Sequence, residues 1–427
     1  MRERRAAALE RYHAAALPTG EEEIWRYSRI GDLDLSRFSP VATDGAAASA
    51  GLPELPALAH ALIDRIGGRS GFALVLDGHV HETSASEECE RAGVRLRRAS
   101  TLPGAEELLG IAGAEFQHGD EDSDAFDDLA EAFASDAVVL NVPKGVEVER
   151  PIVIVNLLAQ GNADDVHGPA LFPRTVVALG ESASATVIEL LVSGPGAALV
   201  IPRTELTVGD GARLSYSAVQ QLGRATWQIG HGSARAGCDA SLKWFTASLG
   251  GEYARARTDS LLEGSGGRAE LLAAYLGDGS QVHDFRTLQE HAAPHTTSDL
   301  VFKGAVGDAS RSVYSGMIRM RRGARAANAF QTNRNLVLSE GAHADSVPNL
   351  DIQENDVRCS HASAVGPIDA EQRFYLESRG IPRPVAERLI LLGFFSELLE
   401  RTEPAVRDHV TAQVRSRVHR VTEEQVR

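Results

Sequence analysis

"LTVGDGARLSY" (residues 206–216) sets a small, sharp corner, Gly209-x-x-Ala212, between two short runs suited to strands. The corner recurs as Gly180-x-x-Ala183, Gly237-x-x-Ala240 and Gly264-x-x-Gly267, at steps of 29, 28 and 27 residues, and further glycine turns follow at Gly307, Gly323 and Gly341. Between about 171 and 366, runs rich in Val, Leu, Thr and Ser alternate with these turns, and no long helical pattern intervenes. A near-constant step with a small residue at each corner is the mark of stacked coils, each too thin to bury its own apolar face until a neighbour covers it. Glycine and alanine suit corners where backbones approach closely. The spacing therefore predicts a parallel β-helix, or a similar β-solenoid, over a β-sandwich, whose turns recur every 8–12 residues.

Outside the repeats the pattern is mixed. Residues 1–17 carry Leu9, Tyr12 and Ala16 at helical spacing, and Pro18 ends that helix. "GEEEIWRYS" (20–28) reads as a short acidic-start turn with Trp25 and Tyr27, and 39–56 reads as a loop. Asp77-Gly78 within "GFALVLDGHVHE" (71–82) signals a hairpin, and 126–158 reads as a helix followed by strands split by Pro143-Lys144-Gly145. After Gly366 the chain turns helical. Asp369 with Gln372 resembles a capping box, Pro384 opens a second helix, and Thr402 is expected to cap a third, striped by Val406, Val410, Val414 and Val418. The expected organisation is an N-terminal helical and α/β region (1–160), a β-helix core (161–366) and a C-terminal helical domain (367–427). The last would cover the solenoid's open edge and offer a docking surface.

Composition excludes several functions. A formal net charge of −16, with 5% aromatic residues, argues against a nucleic-acid partner. No run of 18 apolar residues is present to span a membrane, and the N-terminal stretch has no secretory pattern, so a cytoplasmic protein is expected. Cys89, Cys238 and Cys359 are scattered and odd in number, which fits reduced thiols and cannot supply a four-cysteine cluster site. The three lysines, Lys144, Lys243 and Lys303, precede Gly, Trp and Gly, so the chain has no phosphate-binding P-loop and any ATP hydrolysis must come from a partner.

The candidate ligands lie in "DVRCSHASAVG" (356–366). On a strand, Cys359 and His361 share one face, alpha carbons roughly 6.5–7 Å apart, and could both reach one external atom. Thiolate and imidazole suit zinc, copper or clustered iron, but two ligands are too few for a site. The alternatives are a buried thiol beside a polar histidine, or a nucleophile and base with no third group to orient them. In "DEDSDAFDDLAE" (120–131), Asp120, Asp122, Asp124 and Glu131 have calcium-loop spacing, but Ala125 stands where the loop needs glycine. That stretch reads as an acidic loop capping the following helix. His291 and His295 are expected in a loop with solvated imidazoles, because Pro294 forbids a regular helix there. His79 and His81 are expected to face solvent, and the three tryptophans to be packing groups.

The run 333–381 resembles the signature of the SufB/SufD family of iron–sulfur cluster assembly scaffolds. It does so through Asn333-Arg334-Asn335-Leu336, Ser346–Leu350, Cys359-Ser360-His361, Phe374-Tyr375-Leu376 and Ser378-Arg379-Gly380. "LPTGEEEIWRYS" (17–28) and 132–154 are similar to the SufD branch. The resemblance implies a right-handed β-helix core and a non-enzymatic subunit. That subunit would pair with SufB through the β-helix and dock the ATPase SufC through its C-terminal helices. It also implies a transient iron–sulfur cluster shared with SufB, for which Cys359 and His361 are the candidate metal ligands, His361 the favoured one. It leaves open a flavin, the complex's stoichiometry and homodimer formation by the chain alone. One departure is Ala362, where the family usually has glycine; a positive φ there would cost on the order of 1 kcal/mol. Two other functions remain: a structural adaptor without metal, and a carbohydrate-active β-helix enzyme.

Overall fold

The computed structural model describes residues 2–41, 57–113, 116, 124–159 and 167–424. Its centre is a β-solenoid of about seven turns, built from two parallel sheets that the chain visits alternately. In one sheet Ser184–Ser193 is followed by Arg213–Gln221, Ser241–Ser248, Arg268–Gly277, Thr297–Val306, Ala327–Val337 and Val357–Gly366. In the other, Arg203–Val208 is followed by Thr226–Ala236, Tyr253–Leu262, Val282–His291, Arg311–Met320 and His343–Ile352. Parallel stacking begins upstream of residue 161, with Val138–Val142 on Arg174–Leu179 and Ile152–Leu158 on Ser184–Ser193.

The corner spacing read from the sequence is the coil register. Ser184, Arg213, Ser241 and Arg268 stand side by side on successive strands, each a few residues past its glycine corner. The corners exclude side chains: a Cβ at Gly180 would lie 2.6 Å from the Lys144 nitrogen, and one at Gly209 would lie 2.8 Å from the Leu179 oxygen. Between corners, in-register residues form ladders. Val187, Tyr216, Trp244, Leu271 and Leu300 climb one wall of the lumen and belong to its main apolar cluster.

The outer faces of the two sheets are covered differently. Residues 2–38 and the helix Ala125–Phe133 lie over one sheet, with Trp25, Ile30, Phe38 and Phe126 packed on Trp227, Ile229, Tyr253 and Val282. The Ile24-Trp25-Arg26 turn is held by buried charge: the Arg255 guanidinium lies 3.7 Å over the Trp25 ring and donates to the Ile24 carbonyl. Arg286 donates to the Arg26 carbonyl, and Asp284 takes both guanidiniums, at 3.2 and 2.6 Å. Helices Arg383–Leu399 and Pro404–Glu424 cover the other sheet through Leu391, Phe395, Leu398, Val406, Val410 and Val414. Lys303 pins the first of them, donating to the Phe394 carbonyl and to Glu397, while Arg401 reaches Glu270 and Asp299.

Several local expectations meet the structure directly. Asp77 and Gly78 take positive φ of 47° and 80°, the pattern a two-residue hairpin turn requires. Asp369 caps its helix by accepting from the Glu371 and Gln372 amides. All three tryptophans are buried. His81 is exposed, while His79 is only partly so. Two expectations are overturned. His291 is fully buried inside the lumen rather than solvated, because the strand runs on to residue 291 and Thr296 and Ser298 bond its two ring nitrogens; His295 alone is exposed, at the turn. Thr402 does not cap the last helix: its hydroxyl bonds back to the Leu399 carbonyl, and Pro404 is the first helical residue. Of the acidic stretch, Asp120 and Asp122 lie outside the described residues, as does the 39–56 loop from residue 42. Asp124 caps its helix, and Glu131 is paired with Arg4 and Arg174.

Candidate functional site

The lumen ladders decide where Cys359 and His361 point. His361 pairs with Gln331 and Gln331 with Leu300, so His361 ends the inward row that starts at Val187. Cys359 pairs with Ala329, then Ser298, Ala269, Leu242, Leu214 and Ala185, also an inward row. Side chains in register on parallel strands project to the same side. Thiol and imidazole therefore face into the mouth of the solenoid, on the last coil. The same positions one coil back are buried, Ala329 and Gln331 each at 1% exposure, whereas His361 is exposed because no further coil covers it.

Cys359 packs on the cluster of Ile318, Met320, Ala324, Ala327 and Ala329. It is a free thiol, half-buried, and burial pushes its pKa up to about 11. At neutral pH it is a protonated thiol, and a metal must displace that proton to gain a thiolate ligand. Ser363 is the next inward residue of the strand, in register with buried Asn333. Across the mouth, the strand His343–Ile352 turns Ser346, Leu350 and Ile352 inward, above Tyr314, Ile318 and Met320. Ala362 faces the other way, in register with Thr332 and without a positive φ, so it carries none of the strain a departure from glycine could have brought.

This last coil is unfinished in two respects. Both of its strands are ten residues long and terminate their sheets, leaving one edge of backbone donors and acceptors unpaired among the described residues. Large apolar side chains also stand exposed there, Ile352 at 48% and Val365 at 45%. A second exposed group lies on the C-terminal helices: Phe374 at 71%, Tyr375 at 58%, and Leu389. The helix Ala370–Ser378 that carries the first two buries none of its residues.

Among the described residues no group of three or more His, Cys, Asp and Glu comes together to chelate a metal. By themselves Cys359 and His361 are two donor side chains, fewer than a closed metal site takes. Their i, i+2 relation is legible in the sequence, and their direction is not. Direction follows only when the coil step is carried past Gly307, where it lengthens and the corner signal weakens. The lumen-mouth neighbours Ser363, Ser346, Leu350 and Ile352 were missed for the same reason.

The class that the structure defines is an open-ended β-solenoid whose last coil is uncovered and turns a thiol and an imidazole into its mouth. Comparison with known proteins gives the family. Residues 160–394 match the family described as SUF system FeS cluster assembly, SufBD core domain, and the chain belongs to that family. It is 36% identical over 296 residues to an iron–sulfur cluster assembly SufBD family protein of Mycobacterium bovis, covering 67% of this chain and 72% of the relative. It is 32% identical over 275 residues to SufD of Bacillus subtilis, 64% of this chain and 61% of the relative. It is 27% identical over 412 residues to SufD of Escherichia coli, 96% of this chain and 91% of the relative. The protein therefore has a role in iron–sulfur cluster assembly.

Proposed function

We propose that this chain is a non-catalytic scaffold subunit that pairs through its last coil with a SufB-like chain and docks a SufC-like ATPase on its C-terminal helices. The observation that carries this reading is the pair of inward rows ending in Cys359 and His361 on an uncovered coil with unpaired edges. A sister strand added to those edges would satisfy the free backbone groups and bury Ile352 and Val365. It would also bring further ligands to the mouth, where the nascent cluster, the cargo of the reaction, would be held. The resident proton on Cys359 favours His361 as the first ligand, with Cys359 joining once iron is present. The exposed Phe374, Tyr375 and Leu389 are suited to a partner surface. ATP-driven movement there would reach the lumen through Lys303, whose strand lies beside the strand Ala327–Val337 that backs the site. No nucleic-acid or membrane partner enters this reading; no helix among the described residues is long and apolar enough to cross a membrane.

The test is co-purification with SufB-like and SufC-like chains, followed by anaerobic cluster assembly on complexes carrying Cys359→Ser, His361→Ala or both. Loss of cluster with His361→Ala, and a smaller loss with Cys359→Ser, is expected. Full assembly on the double variant would favour an adaptor without metal.

A further inference from the structure

The lumen is not filled throughout. Ala218, Thr246 and Ala256 face inward, yet none is fully buried, because they border a chamber of about 80 Å³ between the two sheets. That is room for more than one water-sized occupant. Glu189 lines it, only 9% exposed. Its carboxylate already accepts from the Asn156 amide at 2.6 Å, from the Thr175 hydroxyl at 2.7 Å and from the Tyr216 hydroxyl. Three donors on one carboxyl group favour its ionised form. Among the described residues no cationic side chain pairs with it. The basic side chains in the same lining, His231 and Arg257, are engaged with Asp127 and Asp259 instead.

Two more acceptors complete the picture. Asn156 Oδ1 and Gln228 Oε1 are buried, lie on residues that line the same chamber, and have no hydrogen-bond partner. A buried amide oxygen without a partner costs roughly 1–3 kcal/mol, so two of them in one chamber with an unbalanced carboxylate point to a positive occupant that oxygen lone pairs can hold. The rings of Tyr216 and Trp244, 5.3 Å apart and edge to face, belong to the wall. Aromatic faces favour weakly hydrated monovalent cations. We propose that this chamber is a binding site for a small monovalent cation of the ammonium or potassium class, held by Glu189, Asn156 and Gln228.

The site is independent of the reading of the solenoid mouth, and its test uses the purified full chain. Thermal melts would be recorded at fixed ionic strength in ammonium, potassium, sodium or choline chloride, choline being too large for the chamber. Ammonium or potassium should give a saturable rise of about 2 °C over choline. Because burial raises the Glu189 pKa to about 7, proton and cation compete, and the rise should be larger at pH 8 than at pH 6. Glu189→Gln should abolish the ion-specific rise; should that variant fail to fold, Gln228→Leu should shrink it at least severalfold. Identical melts in all four salts would overturn the proposal, with water alone as occupant. So would an ion-specific rise that survives both substitutions.

Discussion

Glu189 makes a sharp prediction about stability and pH. Its carboxyl group is buried in the lumen, and burial lifts its pKa from 4.5 to about 7 against the pull of the Thr175 and Asn156 hydrogen bonds. The folded protein therefore holds this proton more tightly than the unfolded chain. The associated stability is complete below about pH 4.5 and is lost as pH rises through about 7. A rise of this size corresponds to about 3 kcal/mol between the two limits. Glu189→Gln keeps the shape and removes the titration. The assay is urea unfolding of wild type and variant between pH 5 and pH 8.5, in choline chloride so that no small cation offsets the charge. The variant should gain on wild type by about 2–3 kcal/mol across that span, most of it between pH 5 and pH 7. Two curves that stay parallel over the whole range would refute the reasoning, since Glu189 would then be ionised equally easily in both states.

Three other outcomes follow from the packing. Asp284→Asn leaves the buried Arg255 and Arg286 without a counter-charge and should destabilise the protein by about 3–5 kcal/mol; hydrogen exchange should show residues 23–27 opening first, as their carbonyl clamps loosen. Phe395→Ala removes a buried ring between the C-terminal helices and the sheet, which should cost about 3–5 kcal/mol in urea unfolding. Alkylation of Cys359 by iodoacetamide in the isolated chain, measured by peptide mass spectrometry, should stay slow at pH 8 and accelerate toward pH 11, whereas exposed Cys238 should react readily at pH 8.

The coil architecture could be read from the sequence because the corner glycines are forced by close backbone contact, and such contacts leave few residue choices. The steps of 29, 28 and 27 residues survive unchanged as strand register from Ser184 to Arg268. The helix caps at Asp124 and Asp369 were legible for a similar reason, since each is a local side-chain-to-backbone bond. His291 was misread because Pro294 signals a turn without saying where the strand before it ends. The Glu189 chamber left no trace in the sequence: its members, Asn156, Glu189 and Gln228, come from three strands that only the coil brings together. The Cys359 and His361 pair was visible as a spacing, while its direction into the lumen required the register of every preceding strand.

The proposed pairing sets a sister chain against the last coil. Amide hydrogen exchange over 343–352 and 357–366, in the chain alone and in its complex with a SufB-like partner, tests it most directly. Fast exchange is expected on the unpaired sides of these strands in the free chain and strong protection in the complex, with 253–262 and 268–277 unchanged. Equal exchange in both states, in a complex shown to be intact, would contradict it.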